Sequence, residues 1–234
     1  TYETSGREIE SWNMLYSQQA IDFNVTTNII DGLVSFDNYG KPVPALAKSW
    51  EHNDDSTVWT FHLRDDVDWV DMNGEVQDHL TSKDFLVGFE WVLNAKKNQA
   101  ANTSMPSTTV VGAADYYDKT YAMDDAAAAA LTYDMLAAGV GIDAPDDYTV
   151  VYTCINPCPY FDTVASYVCC YPAPPALVEK LGVEGFRGVD YTQQWCCGPY
   201  LIEEFVSDNS KRFIPNPHYY AADECSRFER VSLS

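Results

Sequence analysis

Two neighbouring stretches decide the fold of this chain: PALAKSWE at residues 44–51 and WTFHLRDDVDW at residues 59–69. In the second stretch, Trp59, Phe61 and Leu63 alternate with polar residues. Because side chains alternate between the two faces of a strand, these three share one face, and the other face is polar. The alternation therefore predicts a half-buried strand with an aromatic inner side.

Downstream of this strand, the sequence predicts a hairpin followed by a helix. A short strand at residues 67–70 precedes Asn73-Gly74, a pair typical of tight turns. The motif TSKD at residues 81–84 matches a capping box, and apolar residues at helical spacing follow it from Phe85 to Leu93. We therefore expect an amphipathic helix here.

The rest of the chain alternates between helical and extended patterns. Ile29, Ile30 and Leu33 recur at helical spacing, and Gly32 can end that helix. The further predicted elements are a strand and turn at 34–40, a helix from 124 to about 139, a strand at 148–154, helices at 160–168 and 176–181, paired strands at 198–205 and 212–215, and a strand from 231 to 233. Because this last strand has no terminator, we expect the natural polypeptide to continue.

The composition is that of a folded, acidic protein. Lys and Arg number 14 against 35 Asp and Glu, a formal net charge of −21 that would repel nucleic-acid phosphates. The 234 residues, 46% of them hydrophobic, can bury the core of one large domain or two small ones. No stretch approaches the roughly 18 apolar residues of a spanning helix, and the first residues lack a signal-peptide pattern. We expect any export signal or lipid anchor to be missing from this sequence.

The polar motifs do not predict a catalytic or metal centre. Seven cysteines include two adjacent pairs, but no C-x-x-C or zinc-finger spacing occurs, so we expect buried thiols or one to three disulfides. Asp66, Asp68 and Asp71 do not fit a calcium loop, the four histidines are dispersed, and no G-x-S-x-G motif is present. We therefore expect no cofactor, no metal and no enzymatic activity.

Taken in order, the motifs resemble those of the family 5 extracellular solute-binding proteins, the oligopeptide- and dipeptide-binding receptors. The resemblance begins with PALAKSWE, the strand motif, Asn73-Gly74 and SKDF at 82–85. Further matches in the family's order are DGL at 31–33, DDYTV at 146–150, PCPYF at 157–161, GPYLI at 198–202 and NPHYY at 216–220. Each motif alone is weak, but together they are specific and extend from about residue 8 to the end.

The resemblance implies a mixed α/β (α+β) fold of the periplasmic-binding-protein-like class II type, with the first lobe present and the second lobe absent. Residues 1–30 and 175–234 would form the scaffold of that lobe, and residues 31–174 an inserted subdomain. The implied function is the capture of extracellular peptides and their delivery to the transmembrane permease subunits of an ABC importer. The implied setting is the cell envelope, where a monomeric receptor meets the membrane only through a lipid anchor.

The resemblance also implies which residues contact the peptide: Gln18, Gln19, Ala20, Asn102, Thr103 and Tyr167. Gln18 stands where the family can have a carboxylate and Tyr167 where it can have an imidazole, so the ligand class stays open. The alternatives are the same fold binding nickel or haem or sensing peptides and, from another class, an exported hydrolase domain. Without a second lobe to close over the ligand, we expect this chain alone to bind peptide weakly.

Overall fold

The computed structural model of the chain describes residues 8–207, 209–223 and 228–233. The helices are α1 (Ala20–Thr26), α2 (Ser82–Leu93), α3 (Ser104–Thr109), α4 (Ala113–Tyr121), α5 (Asp125–Ala129), α6 (Tyr133–Ala137), α7 (Phe161–Ala165) and α8 (Pro175–Arg187), with short 3-10 helices at Val168–Cys170 and Tyr191–Gln193. The strands are β1 (Val34–Phe36), β2 (Pro42–Pro44), β3 (Ala47–His52), β4 (Val58–Leu63), β5 (Asp68–Val70), β6 (Val76–His79), β7 (Ile142–Asp146), β8 (Thr149–Thr153), β9 (Tyr200–Val206), β10 (Ser210–Pro215) and β11 (Val231–Leu233). The expected mixed α/β fold is confirmed.

The aromatic inner face predicted for β4 is at the centre of the core. β4 lies between β3 and β8 in an antiparallel sheet of order β3-β4-β8-β7. Phe61 is fully buried, and its ring centroid lies 6.1 Å from that of Tyr152 on β8 and 6.3 Å from that of Phe161 on α7. Burial of these rings fixes the sheet register, because a one-residue slip would turn them to solvent.

Helix α2 begins at the predicted capping box and runs through the core. The Thr81 main-chain N–H donates to Asp84 Oδ2 over 3.0 Å, and the Thr81 side chain accepts from the N–H of residue 84 in return. The other carboxylate oxygen of Asp84 accepts from the indole Nε1 of Trp69 over 2.6 Å. Asp84 therefore joins the helix start to the β5–β6 hairpin.

The early part of the chain is paired with a much later part. The main-chain N–H groups of Cys197 and Gly198 donate to the Ile29 carbonyl over 3.1 and 2.9 Å, and Tyr200 N–H donates to Asn28 over 3.1 Å. A Cβ added to Gly198 would lie 2.7 Å from the Ile29 carbonyl carbon, which explains why glycine stands there. This pairing leads into the sheet of order β11-β10-β9.

A half-buried carboxylate connects the DGL and NPHYY motifs. Asp31 Oδ2 accepts hydrogen bonds from the hydroxyls of Tyr220 over 2.7 Å and Tyr219 over 3.0 Å. Burial raises the pKa of Asp31 to about 6, although these two bonds act in the opposite direction. The Arg64 guanidinium lies 4.7 Å from the centre of the Tyr220 ring. The junction therefore holds the chain after β10 against the segment before β1.

Several predicted helix bounds are wrong. Helix α1 ends at Thr26, so Ile29, Ile30 and Leu33 are buried outside any helix. The helix expected from 124 to 139 is two short helices, and the one expected over 160–168 ends at Ala165. The helix expected at 176–181 instead extends to Arg187 across a break at Gly182, whose φ is 69°.

Candidate functional site

The segment before α1 is fixed by a buried carboxylate in the first turn of that helix. Asp22 is fully buried and accepts hydrogen bonds from the main-chain N–H of Glu10 over 2.9 Å and of Ser11 over 3.1 Å. It also accepts from the hydroxyl of Ser17 over 2.5 Å. These bonds define the position of residues 17–20, where the sequence places three candidate residues.

Gln18 brings this segment to the second candidate segment. Its side chain is exposed, and its Nε2 donates to the carbonyl of Ala101 over 2.5 Å, next to Asn102. Gln19 precedes α1 in an extended conformation, and Ala20 is the exposed first residue of that helix. The structure therefore places residues 17–20 against the loop that leads to α3.

The second segment carries an amide without a partner. Asn102 Nδ2 is buried and has no hydrogen-bond partner. Thr103 is the residue before α3, and its side chain makes no capping hydrogen bond there. Leaving a buried donor unpaired costs about 1–3 kcal/mol, so an acceptor that reached it would be held firmly.

A buried polar network supports the loop from α2 to α3. The side chain of Glu90 accepts from Asn94 and Asn98, each over 2.8 Å, and pairs with Lys97 Nζ over 3.3 Å. From α8, Arg187 Nη2 donates to the Lys97 carbonyl over 3.0 Å. Apart from Asn98 Oδ1, which has no hydrogen-bond partner, these side-chain groups are paired, and a buried network of this kind rigidifies the chain around it. The loop that presents Asn102 is thus held from both helices.

Tyr167, the last candidate residue, belongs to a third segment of the chain. It follows α7, is 52% exposed and leads into the 3-10 helix at Val168–Cys170. Within the described residues, no hydrogen bond or ring contact joins it to Gln18 or Asn102. The structure therefore joins the first two candidate segments through the bond from Gln18 to Ala101, and within the described residues no such contact extends to Tyr167.

A hollow of about 450 Å³ lies beside the first segment, between residues 10–16 and the end of α8. None of the six candidate residues lines it. Its walls include Trp12, Tyr16 and Arg187, which the sequence interpretation did not single out. In the sequence, the only signal that could have indicated this hollow is a run of polar residues with two aromatic residues before a helix.

The acidic and histidine side chains take part in local contacts. His79 Nδ1 lies 3.0 Å from Asp68 Oδ1 across the β5–β6 hairpin, and Asp71 accepts from the main chain of Asn73 and Glu75 in its turn. The expected hairpin at this position is confirmed. Over residues 8–207, 209–223 and 228–233, no group of three or more His, Cys, Asp and Glu is arranged to hold a metal ion. In the same ranges, no helix has the length and apolar content needed to cross a bilayer.

Comparison with known proteins agrees with the motifs and the fold. The family model for bacterial extracellular solute-binding proteins, family 5 middle, matches residues 41–233. The oligopeptide-binding protein SarA of Streptococcus gordonii is 29% identical over 92% of the chain. The oligopeptide-binding protein AmiA of Streptococcus pneumoniae is 30% identical over 90% of the chain. The chain belongs to the family 5 bacterial extracellular solute-binding proteins.

Solved structures show the same architecture. Haemophilus influenzae OppA, in complex with the peptide RPPGFSPFR, superposes with a TM-score of 0.81 and 28% identity over 97% of this chain. The substrate-binding domain of a Bacillus anthracis oligopeptide ABC transporter shares the fold, with a TM-score of 0.81 at 21% identity. The chain spans 30% of the length of SarA and AmiA and 40% of the OppA structure.

Proposed function

We propose that this chain forms one wall of a peptide-binding cleft in an extracellular receptor, which captures peptides and delivers them to the permease of an ABC importer. The observation that carries the proposal is the Gln18 to Ala101 hydrogen bond of 2.5 Å, which joins two candidate segments into one surface. Receptors that bind peptides of varied sequence pair the peptide backbone with extended segments of their own. Gln19, extended and followed by a helix, fits that role.

The candidate side chains have complementary tasks in this proposal. Asn102 Nδ2, which has no partner, donates to a peptide carbonyl when the loop around it adjusts to the ligand. Gln18 and Gln19 offer further amide groups, Ala20 leaves room for the peptide main chain, and Thr103 adds a hydroxyl. Tyr167, whose side chain is exposed, contacts a ligand side chain once a second lobe has closed.

In this proposal the receptor binds its ligand and does not change it chemically. Amides, a hydroxyl and a phenol form hydrogen bonds and position a ligand, and the similar proteins named above are binding proteins. The receptor works as a monomer at the outer face of the membrane, tethered by a lipid anchor, and its partners are the peptide and the permease subunits.

The proposed division of the lobe has support in the main-chain pairing. Residues 1–30 and 175–234 form the scaffold, and the bonds from residues 197–200 to Asn28 and Ile29 join its two stretches. Residues 31–174 form the inserted subdomain, which contains the whole of the sheet of order β3-β4-β8-β7. The Asp31 junction lies at the boundary between them.

Calorimetric titration of the full-length receptor that carries this chain, with pools of short peptides, tests the proposal. Gln18→Ala and Asn102→Ala should each weaken binding roughly 3- to 10-fold, the effect of losing one hydrogen bond to the ligand. Asn38→Ala, at an exposed position in the turn between β1 and β2, is the matched control and should leave affinity unchanged. Unaltered affinity in both candidate variants would refute this placement of the cleft.

The same titration separates the remaining alternatives. Heat on addition of nickel or haem, with none on addition of peptide, would favour the other ligand classes of the fold. Peptide recovered in cleaved form would favour a hydrolase, and peptide recovered intact supports a receptor. The chain by itself should bind at least tenfold more weakly than the full-length receptor, because the closing lobe supplies much of the contact surface.

A further inference from the structure

A cluster of thiols lies around the end of β8, outside the candidate cleft. The cysteines in the described ranges are all buried and not linked to one another, and Cys225 lies outside those ranges. Four of them lie near one another: the Cys158 thiol raises the pKa of Cys154, and the Cys154 and Cys169 thiols raise the pKa of Cys170. The proposed function gives this cluster no task.

The main chain holds two of these cysteines side by side. Cys154 N–H donates to the carbonyl of Thr57 over 2.7 Å, and Cys158 N–H donates to the carbonyl of Ser56 over 2.9 Å. These carbonyls belong to consecutive residues, so the main chain brings the two cysteines close together. The Cys158 thiol is also one of the groups that raise the pKa of Cys154, as expected for neighbouring side chains. A disulfide would require the two sulfur atoms to approach to about 2.05 Å.

We propose that Cys154 and Cys158 form a disulfide that closes the loop between β8 and α7. The inference rests on the proposed extracellular location, since structural disulfides persist in oxidising compartments. Each thiol gives up one proton and one electron, and a sulfur–sulfur bond forms. A small disulfide oxidant of the glutathione class accepts the two electrons and two protons and leaves as two thiols.

The bond forms before folding is complete. Cys154 and Cys158 are 4% and 5% exposed, so an oxidant has little access to them in the folded chain. Burial raises the pKa of Cys154 to about 12, and since the thiolate is the reactive species, the folded thiol attacks a disulfide very slowly. The same burial then protects the finished disulfide from reductants.

The disulfide would stabilise the path from the sheet to a candidate ligand residue. The N–H of Phe161, at the start of α7, donates to the Cys158 carbonyl over 3.1 Å, and α7 ends shortly before Tyr167. A covalent link at the base of this helix therefore limits how far Tyr167 can move relative to the sheet.

Peptide mapping of the chain refolded in a glutathione redox buffer tests the pairing. Free thiols are alkylated under denaturing conditions, and chymotrypsin cleaves after Tyr152 and Tyr160, so that Cys154 and Cys158 share the peptide 153–160. We expect this peptide without alkyl groups and lighter than the dithiol peptide by two hydrogen atoms. Alkylation of both cysteines, or a crosslink between this peptide and the one that begins at Val168, would overturn the proposal.

Thermal unfolding supplies the second measurement. Reduction with dithiothreitol under denaturing conditions, followed by refolding in the reductant, should lower the midpoint of the wild-type chain by roughly 4–8 °C, the effect of opening a short loop. Cys158→Ser should abolish this response, whereas the control Cys196→Ser should keep it. An equal response in Cys158→Ser would assign the effect to another pair. Neither measurement involves peptide binding, so its failure would leave the proposed function standing.

Discussion

A methyl group added to Gly88 should destabilise the whole lobe. Gly88 lies in the middle of α2, where the helix passes the chain at residues 171–173. An added Cβ would lie 2.2 Å from the Tyr171 carbonyl oxygen and 3.3 Å from the nitrogen of Ala173. Ordinary contact begins at 3.4 Å, so the two segments must separate by about 1.2 Å.

The magnitude follows from three contributions. Overpacking of this size costs about 1–3 kcal/mol. The separation also breaks the 2.9 Å hydrogen bond from Ala173 N–H to the Asp84 carbonyl, and a buried group left unpaired costs about 1–3 kcal/mol. Alanine is better than glycine in a helix by about 1 kcal/mol. The midpoints give a net loss of about 3 kcal/mol in the free energy of unfolding.

Urea unfolding followed by tryptophan fluorescence measures the loss. The matched control is Gly139→Ala, because a Cβ at Gly139 would meet nothing within 4 Å. We expect the control to stay within about 0.5 kcal/mol of the wild type. If Gly88→Ala proved as stable as the control, the close approach of α2 to residues 171–173 would not exist and the packing described above would be wrong.

Two carboxylates with raised pKa values, those of Asp84 and Asp31, support further predictions. Burial raises the pKa of Asp84 to about 7, above its value in the unfolded chain. The stability that comes from the protonated carboxyl is therefore fully present below about pH 4 and is lost as the pH rises through about 7. Urea unfolding between about pH 5 and 8 should therefore depend less on pH in Asp84→Asn than in the wild type, and an equal slope would contradict the raised pKa. Asp31→Ala removes the acceptor shared by Tyr219 and Tyr220 and should cost about 1–3 kcal/mol of stability in the same assay. Asp118→Ala, at an exposed position, is the control and should change little. Equal stabilities of the two variants would show that the junction is dispensable.

The elements that the sequence predicted correctly are specified by short-range patterns. The alternation in β4 needs only its own six residues, and the capping box of α2 needs only the interval from Thr81 to Asp84. The turn at Asn73-Gly74 depends on the positive φ of Gly74, 85°, which glycine adopts without strain. In each case the residues that determine the structure are neighbours in sequence.

The wrong or missing elements depend on distant partners. Ile29 and Ile30 have helical spacing, but the carbonyl of Ile29 is taken by the N–H groups of residues 197 and 198, so the chain leaves the helix in a turn at this point. Strand β7 contains Pro145 and therefore did not look like a strand; its pairing with β8, including Ile142 opposite Tyr152, makes it the edge of the sheet. Helices α3 and α4 were not predicted either, since their apolar stripes are short.

The candidate cleft shows the same division between local and distant information. The resemblance supplied the candidate positions, but the Gln18 to Ala101 contact crosses 83 positions in sequence, and no local pattern could have indicated it. The unpartnered amide of Asn102 and the network around Glu90 became apparent only in three dimensions.

The pairing of Asn28 and Ile29 with residues 197–200 also sets the order in which the chain can mature. While the polypeptide is being made, those carbonyls bond to water until residues 197–200, about 170 positions later, have been added. Contacts so remote in sequence slow the search for the native state. We therefore expect the two stretches of the lobe to stay unjoined, and the lobe to remain deformable, until residues 197–200 are available.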